Sequence, residues 1–299
     1  MNNDLIHAIE MAKIEYKLNE SMKNHTSFKI GGNAEYFLLP DSPEKCAKAI
    51  KLCKQFGIKY MVIGKGSNLL VRDDGIKGIV ICISNIMSDI KLIDEKTIYC
   101  QSGVSLAAVC NFALDNSLSG LEFAYGIPGN VGGAIFMNAG AYGGEMKDVV
   151  VSCDYVDENG DIKTVSNDEL DFSYRHSFFT DKKFCIVGAT LKLKQGDKEV
   201  ISNQMAELLS RRKEKQPLEF PSAGSTFKRP EGSYASFLVD QCGLKGFSIG
   251  DAQVSEKHAG FVINKGNASC NDVLKLIDEV KKIVFEKTGY ILEPEVKLI

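Results

Sequence analysis

The feature that most constrains the fold is a glycine-rich stretch, residues 126–144, near the middle of this 299-residue chain. It contains seven glycines and three alanines, and it is too long and too apolar for a flexible linker. Small residues in such a run remove side chains from a long segment, so the backbone can approach a bulky, flat ligand closely. A tight packing seam between small residues is the alternative interpretation. We favour a cofactor cradle.

A second, shorter glycine loop occupies residues 64–68, directly after an apolar segment that reads as a strand. It is not a dinucleotide fingerprint, because Leu69 stands where the third glycine of GxGxxG belongs, and it lacks the Gly-Lys-Ser/Thr ending of a P-loop. Its backbone N–H groups suit a phosphate nest, and a plain β-turn explains the sequence equally well. Two glycine loops without the Rossmann pattern favour FAD held in another kind of cradle.

Composition and charge exclude several classes of protein. The net charge of −3 gives no overall positive potential that would attract nucleic acid. No apolar run approaches the roughly 18 residues of a membrane span, and Asp4 and Glu10 argue against a signal peptide. Nine cysteines without CxxC spacing suggest neither a disulfide framework nor zinc. We therefore expect reduced thiols, a cytosolic location, and no metal, membrane or nucleic-acid partner.

Hydrophobic periodicity predicts a mixed α and β chain. Helices are expected around the apolar positions 5–14, after a cap at Ser42, over 106–116, over 199–215, and over 271–288 behind a cap at Ser269. Strands are expected at 60–63, 79–83, 97–101, 149–156, 184–193 and 260–264. The turn signal at residues 195–197 predicts a domain boundary.

Six segments, spread over nearly the whole chain, carry a recognisable pattern. They read HTSFKIGG, IPGNVGGA, MNAGAYG, YRHS, AGSTFKRP and LEPEVK, at residues 25–32, 127–134, 137–143, 174–177, 223–230 and 292–297. In this order they resemble the motifs of the UDP-N-acetylenolpyruvoylglucosamine reductase family of peptidoglycan synthesis. The chain lacks the long tyrosine-bearing insertion of one branch, here between Val187 and Ser225, so it resembles the shorter type II branch. Substrate-gating contacts of the longer branch therefore cannot be carried over.

The resemblance implies an α+β fold, with a two-domain FAD cradle of the vanillyl-alcohol-oxidase type and a C-terminal α+β substrate domain. On this basis we expect FAD-binding subdomains at 1–75 and 76–196 and a substrate domain at 197–291. Residues 292–299, with Glu295, are expected to form a closing strand, and whether this strand returns to the first subdomain is left open.

The implied reaction uses NADPH to reduce FAD, which then gives hydride to C3 of the enolpyruvyl ether of UDP-N-acetylglucosamine enolpyruvate. Negative charge grows on C2 and the adjacent carboxylate, and C2 must receive a proton. The resemblance assigns Arg175 to the growing negative charge, where its guanidinium forks onto the carboxylate or carbonyl, and Ser225 to the proton. A serine hydroxyl is a weak acid, so we expect help from a nearby cation, Lys228 or Lys215. It selects Glu295 as the partner of Arg175, although strand alternation puts Glu293 on the same face.

The candidate binding residues lie in the two glycine loops, in the AGSTFKRP motif and at the end of the predicted helix 199–215. Expected FAD contacts are Gly64, Lys65, Gly66, Ser67, Asn68, Pro128, Gly129, Val131, Gly132, Gly133, Asn138, Ala139 and Gly140. Expected substrate contacts are Lys215, Lys228 and Arg229. For His258 two interpretations have equal support. It lines the substrate domain, or it is a core histidine whose hydrogen bonds are made within the protein.

Two other functions compete with this interpretation. A flavin oxidase on the same cradle would return electrons to oxygen and would need no proton donor at C2. A non-catalytic protein that binds sugar nucleotides would need neither Arg175, Ser225 nor Glu295. The presence of suitable residues at all three positions favours the reductase.

Overall fold

The computed structural model describes residues 2–299, which form two compact units. Unit 1 comprises residues 1–18, 36–65 and 78–211, and unit 2 comprises residues 19–35, 66–77 and 212–299. Each unit is therefore assembled from three separate stretches of the chain. The division into domains at 1–75, 76–196 and 197–291 stays a prediction.

The described residues form seven α-helices and nineteen short strands, with four 3₁₀ turns between them. The helices are α1 Asn3–Met11, α2 Pro43–Gln55, α3 Leu106–Asp115, α4 Val131–Phe136, α5 Lys198–Lys215, α6 Ala235–Gln241 and α7 Cys270–Thr288. The strands are β1 Glu15–Ser21, β2 Asn33–Leu39, β3 Tyr60–Ile63, β4 Leu69–Leu70, β5 Ile76–Cys82, β6 Ile90–Asp94, β7 Thr97–Gln101, β8 Leu118–Ser119, β9 Gly140–Ala141, β10 Gly144–Glu145, β11 Val150–Val156, β12 Ile162–Ser166, β13 Cys185–Lys192, β14 Lys194–Gln195, β15 Ser222–Ser225, β16 Ser248–Ile249, β17 Ala252–Val254, β18 Phe261–Asn264 and β19 Lys297–Leu298.

Unit 1 is built on a five-stranded antiparallel sheet in the order β12-β11-β13-β7-β6. Strand β7 shows why these residues form a sheet, because Ile98 and Cys100 are fully buried while their neighbours alternate to the half-exposed face. Helix α4 packs against β13, and α3 contributes Val109 and Cys110 to the same apolar cluster. This sheet therefore carries the glycine-rich stretch on its surface.

A second cluster in unit 1 surrounds α1 and α2. Ser42 caps α2 by accepting the N–H of Lys45, and Pro43 occupies the first turn, as expected from the sequence. Strands β3 and β5 pair in parallel within a sheet of order β1-β2-β5-β3. Helix α1 ends at Met11, so Ile14 lies outside it although the periodicity suggested one helix through that position.

Unit 2 is built on the four-stranded sheet β15-β18-β17-β16 with α7 against β16 and β17. Ser269 caps α7 in a capping box with Asp272, and Gly289 ends the helix at a φ of 76°. The Asp73 carboxylate adds a distant cap by accepting the N–H groups of Cys270 and Asn271, at 2.8 and 3.1 Å. This end of α7 is therefore fixed from two directions.

The prediction of a regular strand through Glu295 is wrong. Only Lys297–Leu298 (β19) is a strand there, and it pairs in parallel with β4. Pro294 makes a single bridge to Phe227. Proline has no N–H for a ladder, so the extended segment is interrupted just before Glu295.

Two further features concern membrane spans and the cysteines. No helix among residues 2–299 is long and apolar enough to cross a membrane. All nine cysteines are buried free thiols.

Candidate active site

Helix α4 begins inside the glycine-rich stretch and is fixed by backbone hydrogen bonds. The N–H of Gly132 donates to the Ser102 carbonyl at 2.9 Å, and the N–H of Val131 donates to the Val104 carbonyl at 2.9 Å. A Cβ at Gly132 would lie 3.0 Å from the Ser102 Cβ, whereas one at Gly133 would meet, among residues 2–299, no atom within 4 Å other than its chain neighbours and the backbone of its own helix. Protein packing explains the first glycine and leaves the second unexplained.

Two buried side-chain oxygens near this helix have no hydrogen-bond partner among residues 2–299. They are Ser102 Oγ, with 0% of the residue exposed, and Asn130 Oδ1, with 1% exposed. Asn130 Nδ2 donates to the Gly103 carbonyl, which orients the side-chain amide, but no donor within residues 2–299 reaches its oxygen. A buried unsatisfied oxygen costs about 1–3 kcal/mol unless a ligand supplies a donor.

The shorter glycine loop meets this region through its first residue. A Cβ at Gly64 would lie 3.4 Å from Asn130 Oδ1, so the start of that loop and the cap of α4 are neighbours within unit 1. FAD carries hydroxyl and N–H donors on its ribityl chain, ribose and rings. The small residues and the two unpaired oxygens therefore fit FAD. Sequence reasoning missed both oxygens, and the one available signal was a serine directly after β7 and before Gly103.

The remaining expected FAD residues fall into two groups. Unit 1 contains Lys65, the exposed second residue of the short loop, and five residues along the glycine-rich stretch, Pro128, Gly129, Val131, Ala139 and Gly140. Gly66, Ser67 and Asn68 lie in unit 2. Gly66 has a φ of +64°, and a Cβ there would collide with the His25 carbonyl, so this glycine is required by local packing.

Arg175 lies at the second central position of a tight turn. Ser173 and His176 exchange two backbone hydrogen bonds of 3.2 Å each across the turn. Arg175 has a φ of +55°, a conformation that side-chain-bearing residues adopt rarely and that clusters at functional sites. Its charge contributes to lowering the pKa of Glu145, for which the hydrogen bond from Lys147 is the largest cause.

Ser225 is the last residue of β15 and is exposed. An irregularity in the pairing of β15 with β18 separates Ser222 from Ser225. Gly224 has a φ of +78°, and a Cβ there would meet, among residues 2–299, no atom within 4 Å beyond its two chain neighbours. The Ser225 hydroxyl therefore emerges next to open space.

Thr226 joins the Ser225 segment to the Glu295 segment. Its N–H donates to the Gly260 carbonyl at 2.8 Å, and its own carbonyl accepts the N–H of Glu295 at 2.8 Å. Its Oγ1 accepts the N–H of Val262 at 2.9 Å. The buried Thr226 thus fixes the backbones of both expected catalytic residues of unit 2.

Replacing Thr226 by valine should destabilise the protein by about 1–3 kcal/mol, because a buried N–H of Val262 loses its acceptor without a large change in volume. Urea unfolding measures the change. Thr164→Val is the matched control, since the Thr164 hydroxyl donates to Asp154 at an exposed site. Equal stabilities of the two variants would contradict the role given to Thr226.

Glu295 and Glu293 have different surroundings. Glu295 is half-buried, and the Asn68 amide donates to its carbonyl at 3.2 Å. The Glu293 carboxylate forms an exposed ion pair with Lys228 at 3.2 Å. The structure therefore separates two residues that alternation alone left equivalent.

The expected substrate-binding cations all lie in unit 2. Lys215 is the exposed last residue of α5. Lys228 is held by Glu293, and the guanidinium of Arg229 stacks on the Tyr234 ring at 4.1 Å.

His258 forms its contacts with residues of unit 2. Its Nδ1 accepts the N–H of Gly260 at 3.1 Å, and its ring meets the Phe261 ring edge-on at a centroid distance of 5.0 Å. Burial lowers the pKa of the imidazole, with Lys245 adding to the effect. These contacts favour a satisfied structural histidine beside the Ser225 strand.

A histidine whose folded-state pKa is lowered stabilises the fold fully above its unfolded pKa of about 6.5, and loses that contribution as pH falls below it. The stability difference between the parent protein and His258→Gln should therefore shrink between pH 8 and pH 5.5, as measured by urea unfolding at each pH. A difference that does not change with pH would show that His258 does not titrate in this way.

The glycine-lined cradle and the unpaired oxygens fit a flavoprotein, and comparisons with known proteins show that class. A model of the FAD binding domain matches residues 34–166. A berberine bridge enzyme variant is similar in fold, with a TM-score of 0.52 at 15% identity over 65% of this chain and 44% of that one. This class confirms the expected α+β fold with a cradle of the vanillyl-alcohol-oxidase type.

The particular family follows from closer relatives. A model of the UDP-N-acetylenolpyruvoylglucosamine reductase C-terminal domain matches residues 216–299. The reductase of Clostridium novyi is 50% identical over 287 residues, which cover 96% of this chain and 93% of that protein. The reductase of Agathobacter rectalis is 48% identical over 312 residues, covering 100% and 99%. The crystal structure of the Thermus caldophilus reductase has a TM-score of 0.81 at 35% identity, covering 95% and 98%.

The chain therefore belongs to the UDP-N-acetylenolpyruvoylglucosamine reductase family. It is an FAD-dependent oxidoreductase of peptidoglycan precursor synthesis with NADPH as its reductant, as the sequence motifs predicted.

Proposed function

We propose that this chain reduces the enolpyruvyl ether of UDP-N-acetylglucosamine enolpyruvate to the lactyl ether of UDP-N-acetylmuramate, with Arg175, Ser225 and Glu295 as the catalytic residues. The observation that carries the assignment of roles is the arrangement around Thr226. One buried residue accepts the backbone N–H of Glu295 and directly follows Ser225. An acid and a hydroxyl are thus held by the same backbone element.

FAD, when bound, carries hydride from NADPH to the substrate. We assign its binding to the backbone of the glycine-rich stretch, with Ser102 Oγ and Asn130 Oδ1 accepting hydrogen bonds from it. This assignment rests on the two unpaired oxygens and on the open space at Gly133.

Arg175 binds the carboxylate of the enolpyruvyl group. A guanidinium stays charged at any working pH, and its planar N–H groups fork onto a carboxylate. As negative charge spreads from C2 onto that carboxylate, the attraction grows, so Arg175 stabilises the transition state more than the bound substrate.

Ser225 donates the proton that C2 receives. Its exposed hydroxyl lies next to the open space at Gly224 and so is accessible to a ligand. A serine is a weak acid, so a nearby cation must help it. Lys228 is partly neutralised by Glu293 at 3.2 Å, which favours Lys215 for this task.

Glu295 orients the enolpyruvyl group together with Arg175. A carboxylate beside a developing enolate would oppose the reaction unless it is protonated or paired with the guanidinium. A pH profile of the proton-transfer step distinguishes these two states. A Glu295→Gln variant that stays active at high pH would indicate the protonated form.

The experiment that tests the reaction is a turnover in D₂O with NADPH and the enolpyruvyl sugar nucleotide. We expect NADPH oxidation that depends on this substrate, and one deuterium at C2 of the lactyl group, detected by NMR. Oxygen uptake without the substrate would instead support a flavin oxidase. Binding of the UDP-sugar without NADPH oxidation would support a non-catalytic protein.

We further propose that this reaction takes place in the cytosol. Nine buried free thiols are typical of proteins kept in a reducing compartment.

A further inference from the structure

Asn138 is an expected FAD contact, but its side-chain amide forms hydrogen bonds within unit 1. The residue is fully buried, with 0% exposed and a φ of +40°. Its Nδ2 donates to Glu145 Oε2 at 3.0 Å and to the Ser173 carbonyl at 3.1 Å. Its Oδ1 accepts the N–H of Lys147 at 2.9 Å. Both amide protons and the amide oxygen are therefore in use, which leaves the side chain little capacity for a cofactor.

The Ser173 carbonyl is the anchor point of the turn that carries Arg175. It already accepts the N–H of His176, which closes the turn. The hydrogen bond from Asn138 joins this closed turn to the glycine-rich stretch. A second bond of the same kind runs from Ser177 Oγ to the Phe136 carbonyl at 2.8 Å.

The turn needs such anchoring because Arg175 has a left-handed backbone at φ +55°. A strained conformation of this kind persists only where the surroundings determine it. Asn138 and Lys147 also hold the Glu145 carboxylate, whose pKa is lowered chiefly by the hydrogen bond from Lys147, with the charge of Arg175 as the smallest contribution. Asn138 therefore holds both the backbone of Arg175 and a carboxylate that interacts with it.

We propose that Asn138 is a positioning residue that fixes the direction of the Arg175 guanidinium relative to the cofactor stretch. The proposal rests on the carboxylate-binding role proposed above for Arg175. Asn138 acts through Arg175 and contacts neither substrate nor cofactor with its side chain.

The first test compares binding of two nucleotides to the FAD-loaded protein by calorimetry. Asn138→Asp keeps the acceptor for Lys147 and tolerates a left-handed backbone, but it removes both amide donors and faces the Glu145 carboxylate. We expect it to weaken the binding of UDP-N-acetylmuramate, which carries a carboxylate, by about 10-fold or more, because a charge-assisted contact to that carboxylate is lost. UDP-N-acetylglucosamine, which has no carboxylate, should bind as before. Equal weakening of both nucleotides would overturn the proposal.

The second test is a double-mutant cycle with Arg175→Ala. If Asn138 acts through Arg175, Asn138→Asp should change UDP-N-acetylmuramate affinity and substrate-dependent flavin reoxidation far less in the Arg175→Ala background than in the parent. Additive effects would mean a general structural role. Full activity of Arg175→Ala alone would instead remove the proposed role of the arginine, so the two failures are distinguishable.

Two further variants keep the test decisive. Asn167→Asp is the matched control, because the Asn167 amide also donates two hydrogen bonds within unit 1, in its case to the carbonyls of Lys147 and Val150. It should show no selectivity between the nucleotides. Asn138→Gly accommodates the left-handed backbone and adds no charge, so it replaces Asn138→Asp if that variant does not fold. Loss of FAD from a folded Asn138→Gly protein would show that Asn138 binds the cofactor, and it would overturn the proposal.

Discussion

Ser225→Ala should retain bound FAD and its reduction by NADPH, while substrate-dependent reoxidation slows by about 10²–10⁴-fold, the usual contribution of a general acid. The Ser225 hydroxyl makes no hydrogen bond to the described residues, and its backbone is fixed by β18 and by Thr226. Removing the hydroxyl therefore leaves the fold and the FAD cradle unchanged. Stopped-flow absorbance separates the two half-reactions.

The matched control for this prediction is Ser222→Ala. Ser222 lies three residues earlier on the same strand, and its structural contact is made by its carbonyl, which accepts the hydroxyl of Ser27. It should reoxidise at the parental rate. If Ser225→Ala also reoxidises at the parental rate, Ser225 does not donate the proton and the donor must be sought elsewhere in unit 2.

Gly133→Val should fold normally yet bind FAD about 10- to 100-fold more weakly. Gly133 is exposed, and a Cβ there would meet, among residues 2–299, no atom within 4 Å outside its own helix and chain neighbours, so we expect the protein itself to tolerate a side chain there. If FAD fills that space, the added methyl groups overpack the bound state, which costs about 1–3 kcal/mol. Thermal unfolding of the apoprotein and fluorescence titration with FAD measure the two effects.

Gly132→Val is the contrasting variant. Its Cβ would press on Ser102 at 3.0 Å, so it should destabilise the apoprotein as well, and loss of FAD there would not locate the cofactor. The comparison thus distinguishes a packing glycine from a cofactor glycine one residue away. Full FAD affinity in Gly133→Val would contradict the cradle assigned to α4.

Much of the molecule could be predicted from the sequence because the decisive signals are local. The cap at Ser42 and the capping box at Ser269 located the starts of α2 and α7 to within a residue or two. The glycine-rich stretch indicated a flavin cradle, and the six motifs indicated the family, which the relatives confirm.

The rest depends on contacts between distant segments. Asn138 and Ser173 are 35 residues apart, and neither position reveals the bond that joins them. The distinction between Glu293 and Glu295 depends on Lys228 and Thr226, which are about seventy residues earlier in the chain. Pro294 was visible in the sequence, yet its consequence, an interrupted strand, was missed because the alternating pattern around it was given more weight.

A visible spectrum taken through one complete catalytic cycle tests whether the protein binds FAD and reduces the enolpyruvyl sugar nucleotide. The protein is purified, reduced anaerobically with NADPH, and then given the enolpyruvyl sugar nucleotide. We predict a flavin absorbance that bleaches with NADPH and returns only on addition of that substrate. Bleaching without recovery would reject the substrate, and a colourless protein that cannot be reconstituted with FAD would contradict the cradle and the mechanism built on it.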